Sequence, residues 1–140
     1  MQTQPTLFAS MRPLRWPRVW LGAWAVMIVS VIVLSLMPKP PIPPMLTIGK
    51  LDHLIAYLAL AAFAVQLYMR RRVQLGAAFA LVLLGIALEF AQGYLTTYRH
   101  MAAYDALTDA LGVALGTATA WTPLATILLR IERMVTRAPR

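Results

Sequence analysis

The sequence predicts an all-α integral membrane protein, a four-helix bundle with both termini on the cytoplasmic side. Three observations lead there. Hydrophobic residues make up 60% of the 140-residue chain against 13% charged; mean hydropathy is +0.67; and the apolar residues gather into four runs that approach or exceed the length needed to cross a hydrocarbon core of about 30 Å at about 1.5 Å per residue. Four such runs leave no room for a separate soluble core, so one membrane domain is expected.

Residues 1–18 form a basic segment with Arg12, Arg15 and Arg18 ahead of the first span, 19–37. A cleaved signal peptide has the same charged-then-apolar order, but its apolar part is shorter and ends in small residues, whereas this run ends in "SLMPKPPIPP". The prolines at 38, 40, 41, 43 and 44 cannot continue a helix, so they mark the loop after span one. The second span covers about 51–69. "RRR" at 70–72 closes it, and the third, 73–95, follows so soon that the two form a tight helical hairpin. The fourth covers 102–122, completing a membrane domain over 19–122. In the tail, 123–140, apolar residues recur at helical spacing with arginines between them. That pattern fits an amphipathic helix on the bilayer surface, and equally a fourth span continuing past a kink at Pro123; the sequence leaves both open.

The basic residues orient this arrangement. Ten of the 13, Arg12, Arg15, Arg18, Arg70, Arg71, Arg72, Arg130, Arg133, Arg137 and Arg140, fall on one side. Lys39, Lys50 and Arg99 fall on the other. Basic residues in short loops stay inside, which puts both ends in the cytoplasm of a multi-pass protein of the bacterial cytoplasmic membrane. The net charge of +8 then records topology and contact with anionic membrane lipids. No interleaved basic and aromatic surface of the kind nucleic acid requires is visible, so no nucleic-acid partner is expected. Cysteine is absent, which excludes disulfides, thiolate metal sites and a cysteine nucleophile.

Four of the five acids, Asp52, Glu89, Asp105 and Asp109, collect at the outward ends of spans two to four. His53 and Tyr57 are four apart on one helical face; Gly85, Glu89 and Gln92 line another; Asp105, Asp109, Gly112 and Gly116 line a third. Gly112 and Gly116 form a small-xxx-small pattern for close helix approach. Glu89 lies about 9 Å inside the end of its span. Facing lipid, an ionised carboxylate is costly, so it is expected to turn inward, with Arg99, His53 and Lys50 as candidate partners.

These residues resemble the VanZ-like membrane proteins, whose namesake accompanies glycopeptide-resistance genes. The likeness rests on "SLMPKP" closing span one, "KLDHLIAYLAL" at 50–60, "GIALEFAQ" at 85–92 and "RHMAAYDALTDALGVALG" at 99–116, so it reaches from about Ser35 to Gly116. It implies a small helical membrane protein, sometimes linked to resistance to lipidated glycopeptides, and supplies no reaction. The family has asparagine where this chain has Asp109. An ionised aspartate cannot donate a hydrogen bond, which implies an additional proton or cation in the local network.

Three functions follow from the polar cluster. In the leading one, Asp52, His53, Tyr57, Glu89, Gln92, Arg99, Asp105 and Asp109 line an outward pocket for the polar head of an amphiphile, an envelope lipid intermediate or a lipidated small molecule such as a glycopeptide. In the second, the same cluster is a hydrolase or transferase centre for a lipid-linked substrate. Glu89 or His53 is then the base, and Asp105 or Asp109 orients it or helps hold a divalent cation. No nucleophile elbow, phosphate loop or established metal spacing supports it. In the third, the polar groups only fix how the helices pack.

Overall fold

The computed structural model describes residues 10–37, 50–95 and 103–137, so the proline-rich loop and the segment carrying Arg99 and His100 lie outside the described residues. Five α-helices are described: α1 Pro17–Leu36, α2 Lys50–Leu67, α3 Arg71–Leu95, α4 Ala103–Ala118 and α5 Ile127–Arg137. Two short 3-10 turns, Thr119–Trp121 and Pro123–Thr126, connect the last two.

α1 opens on Pro17, whose fixed φ suits a first helical position. It closes at Met37, which turns extended just before Pro38, as the residue preceding a proline tends to do. None of its residues is buried, and Val19, Val26, Val29, Val33 and Leu34 are exposed. An apolar exterior of this kind suits lipid rather than water. α1 and α3 are long and apolar enough to cross a membrane, and these candidate spans point to a helical membrane protein. α2 is apolar but shorter, over Leu51–Leu67, and becomes the most enclosed helix. Its end two residues earlier than the expected 69 has a physical cause: Tyr68 leaves the helix to pair with Met11.

That pairing belongs to a structured entry segment. The backbone N–H of Arg12 donates to Leu67 O at 2.7 Å, and its Nε donates to Val65 O at 3.2 Å. Together they satisfy carbonyls at the C-terminal end of α2, where a helix lacks its own donors and favours positive charge. Met69 N–H donates to Ser10 O, while Met11 and Leu14 are buried against Leu67, Tyr68 and Leu128. The basic stretch before α1 is thus partly core.

The helices run alternately up and down. One end holds the start of α1, the end of α2, the start of α3 and the end of α4; there Arg71 lies 3.6 Å over the Trp121 ring. At the other end Gln92 on α3 donates to Ser35 O on α1 at 3.0 Å. α2 packs most intimately on α4, and the glycines explain why. A methyl group on Gly112 would stand 2.5 Å from Leu54 O, and one on Gly116 would collide with Leu58 O, so both glycines lie directly on the α2 backbone.

After α4 the chain turns sharply. Thr122 is extended and accepts from Leu124 N–H at 3.2 Å, Pro123 starts a new helical turn, and the axis bends by 78°. If the bent pair counts as one span, the candidates number three. The bend makes α5 a separate helix rather than a straight continuation of α4. Leu128 N–H donates to Gln66 Oε1 at 2.9 Å, holding α5 against the end of α2.

Candidate functional site

The polar stripes of α2, α3 and α4 meet inside the bundle. His53 stands near the start of α2, and its Nδ1 is 3.1 Å from Asp109 Oδ1 on α4. Glu89 on α3 completes the group: one donor atom from each of His53, Glu89 and Asp109 lies within 4.8 Å of the others. The two carboxylates are almost fully enclosed, Glu89 at 4% and Asp109 at 2% exposure.

Helical spacing produces this convergence. Tyr57 sits one turn after His53 and is buried at 1% exposure. Gly85 sits one turn before Glu89, at the point where α3 crosses the other two helices. A methyl group there would stand 2.9 Å from Asp109 Oδ2 and 3.4 Å from Tyr57 Cζ. The missing side chain is what lets the aspartate and the phenol share the space. Gln92, one turn beyond Glu89, is buried and reaches back to α1 through Ser35.

One polar atom stands out. The Tyr57 hydroxyl is buried and has no hydrogen-bond partner among the described residues. A buried hydroxyl left unpaired costs about 1–3 kcal/mol, so the site carries a polar group directed at a partner that the described residues do not provide.

Of the residues predicted from sequence, His53, Tyr57, Glu89 and Asp109 come together, with Gly85 and Gln92 beside them. Asp52 is exposed and stays outside the cluster because it is one residue, or about 100° of helix, away from His53. Asp105 is half-buried, one turn before Asp109. Arg99 lies outside the described residues. Gly112 and Gly116 serve packing, by the contacts given above.

A second polar site escaped the sequence reading. Glu132, on α5 and 3% exposed, accepts Arg15 N–H at 2.6 Å, Trp16 N–H at 3.2 Å and Trp20 Nε1–H at 2.6 Å. Burial pushes its carboxyl up, but the hydrogen bonds from Arg15, Trp20 and Trp16 and the charge of Arg15 outweigh it and hold the carboxyl below its ordinary value. The available signal was that Glu132 is the lone acid in a tail of arginines. Its partners are more than 110 residues away, and no local pattern points to them.

No protein family, curated protein or solved structure matches the chain. The geometry of the site therefore carries the functional argument.

Proposed function

We propose that the chain is a VanZ-like, four-span protein of the bacterial cytoplasmic membrane, with cytoplasmic termini, that recognises the polar head of an amphiphile. The observation that carries this reading is the meeting of His53, Glu89, Asp109 and a Tyr57 hydroxyl unpartnered among the described residues, inside a predominantly apolar bundle. They lie at the end opposite Arg12, Arg15, Arg70, Arg71 and Arg72. With arginines inside, that cluster faces the outer leaflet, where headgroups of envelope lipids and lipidated antibiotics reside.

The span lengths are compatible with this topology. α2 rises about 27 Å over its 18 residues. α4 rises about 24 Å over its 16, and the following 3-10 turn adds about 6 Å. A shortfall of a few ångströms is accommodated by local thinning of the bilayer. α5, bent by 78° and carrying Ile127, Ile131, Met134 and Val135 exposed beside Arg130 and Arg133, then lies along the inner surface.

Ionisable groups inside a membrane bundle are rare and costly, and they commonly mark ligand or ion pathways. The tail of the amphiphile stays in lipid. Its headgroup exchanges water for the donors and acceptors of the cluster.

The test is a thermal-shift screen of purified protein against envelope lipid phosphates and lipidated glycopeptides. At a concentration about 100 times its Kd, a true ligand adds about 2.7 kcal/mol of stability. Wild type should shift with at least one amphiphile, and Glu89→Gln should lose that shift while melting cooperatively. A screen in which no amphiphile stabilises wild type, or in which both proteins shift equally, contradicts recognition. The hydrolase or transferase alternative draws on the His53–Asp109 pair, an arrangement that orients an imidazole base. Product release from a bound lipid would favour it.

A further inference from the structure

We infer that His53, Glu89 and Asp109 form a divalent-metal site of the zinc class, with one coordination position left for an exchangeable ligand. The site is the one assigned above to the amphiphile, and its role there rests on that reading; metal binding itself does not.

The donor set argues for this class of ion. Calcium takes six to eight oxygens, and magnesium is held through few protein oxygens and several waters. An imidazole nitrogen beside two carboxylates is a borderline set that suits zinc and its first-row neighbours. Three protein ligands with an open fourth position distinguish exchangeable zinc from closed structural sites.

The spacing is close to what such an ion needs. Bonds of about 2.0–2.1 Å in a tetrahedron put neighbouring donor atoms about 3.3 Å apart. His53 Nδ1 and Asp109 Oδ1 are 3.1 Å apart, and all three donors lie within 4.8 Å. Each ligand comes from a different helix, α2, α3 or α4, so the ion would bind the three together.

A second observation points to a ligand independently of the donor set. The Tyr57 hydroxyl, buried and without a partner among the described residues, belongs to a ring whose Cζ flanks the same Gly85 gap as Asp109 Oδ2. A phenol there can donate to a water, phosphate oxygen or carboxylate oxygen in the open position, fixing its orientation as outer-shell groups do. Two enclosed carboxylates with donor atoms within 4.8 Å of each other call for positive charge beside them. A protonated His53, 3.1 Å from Asp109, is the competing source of that charge, and it predicts a site that holds no metal.

The experiment uses the full-length protein in detergent, stripped with a chelator and desalted. Zinc, magnesium and calcium are titrated separately, with metal content and melting temperature as readouts and no amphiphile present. The site predicts one retained zinc per chain, a raised melting temperature with zinc alone, and a cobalt derivative whose visible absorption reports nitrogen and oxygen ligation. His53→Ala and Asp109→Asn should weaken zinc binding by more than the tenfold to hundredfold range typical of lost outer-shell partners, and Tyr57→Phe should fall within about that range. Wild type that retains no zinc overturns the proposal. So does zinc retained equally by wild type and by both ligand variants. Because the cobalt spectrum is read on wild type, the ligand set remains testable if a variant fails to fold. Zinc binding without any lipid response would leave the metal site standing and remove recognition; lipid binding that persists in chelator would do the reverse.

Discussion

Glu132 places a charged acceptor among Arg15 N–H, Trp16 N–H and Trp20 Nε1–H at the entrance of α1, where the helix dipole favours a negative charge. Replacing it with glutamine leaves donors poorly matched in a buried spot, and hydrogen bonds to charged groups contribute about 1.5–3 kcal/mol each. Glu132→Gln should lower the melting temperature at neutral pH by an amount corresponding to at least one such bond. Because the folded carboxyl titrates below its ordinary value, its stabilisation is complete above the unfolded pKa and is lost as pH falls through the folded one. The acid limb of a melting-temperature profile should therefore be steeper in wild type than in Glu132→Gln; parallel limbs would show that the carboxylate contributes nothing. At the candidate site, Gly85→Ala puts a methyl group 2.9 Å from Asp109 Oδ2. Its expected effect is displacement of the aspartate, read as weakened ligand or metal binding with a modest change in melting temperature.

The contact of α2 with α4 depends on two missing side chains. Gly112 and Gly116 meet the backbone carbonyls of Leu54 and Leu58, which cannot rotate away as a side chain would. Gly116→Val should force the helices apart and destabilise the fold by about 1–3 kcal/mol, measured by thermal melting in detergent. The same substitution at Gly22, where nothing lies within 4 Å, should be close to neutral. This part of the fold was legible in the sequence, because a 3.6-residue period aligns Asp109, Gly112 and Gly116 on one face and His53 with Tyr57 on another. Period and position on the outward ends assigned Asp52 and Asp105 to the pocket as well, but they do not fix depth: the structure leaves Asp52 exposed outside the cluster and Asp105 half-buried one turn before Asp109. The pairing of residues 10–12 with the end of α2 was not legible. It is made by backbone groups, which carry no side-chain signature. The bend before α5 was half legible: Pro123 announced a new helix start, while its angle depends on the extended Thr122 and on packing against Gln66.

Among the described residues, arginines gather at one end and the buried acids of the candidate site at the other, with apolar helix surface between. The proposed orientation puts the arginine end inside and the candidate site toward the outer leaflet. The chain lacks cysteine, so single cysteines report topology without background. Positions 41 and 97 should react with a membrane-impermeant thiol reagent in intact cells, and position 72, where Arg72 is exposed at the arginine end, should not. The reverse pattern would turn the site toward the cytosol and remove its access to outer-leaflet amphiphiles. Recognition, metal binding and the role of Gly85 all require that α2, α3 and α4 present His53, Glu89 and Asp109 to one another. The most direct measurement replaces His53 and Asp109 together with cysteine and treats membranes with a short bifunctional thiol crosslinker. A rapid intramolecular crosslink for this pair, and none for cysteines at the outward-facing Ile55 and Leu111, is the result predicted here; equal crosslinking of the two pairs, or none at 53 and 109, would contradict it.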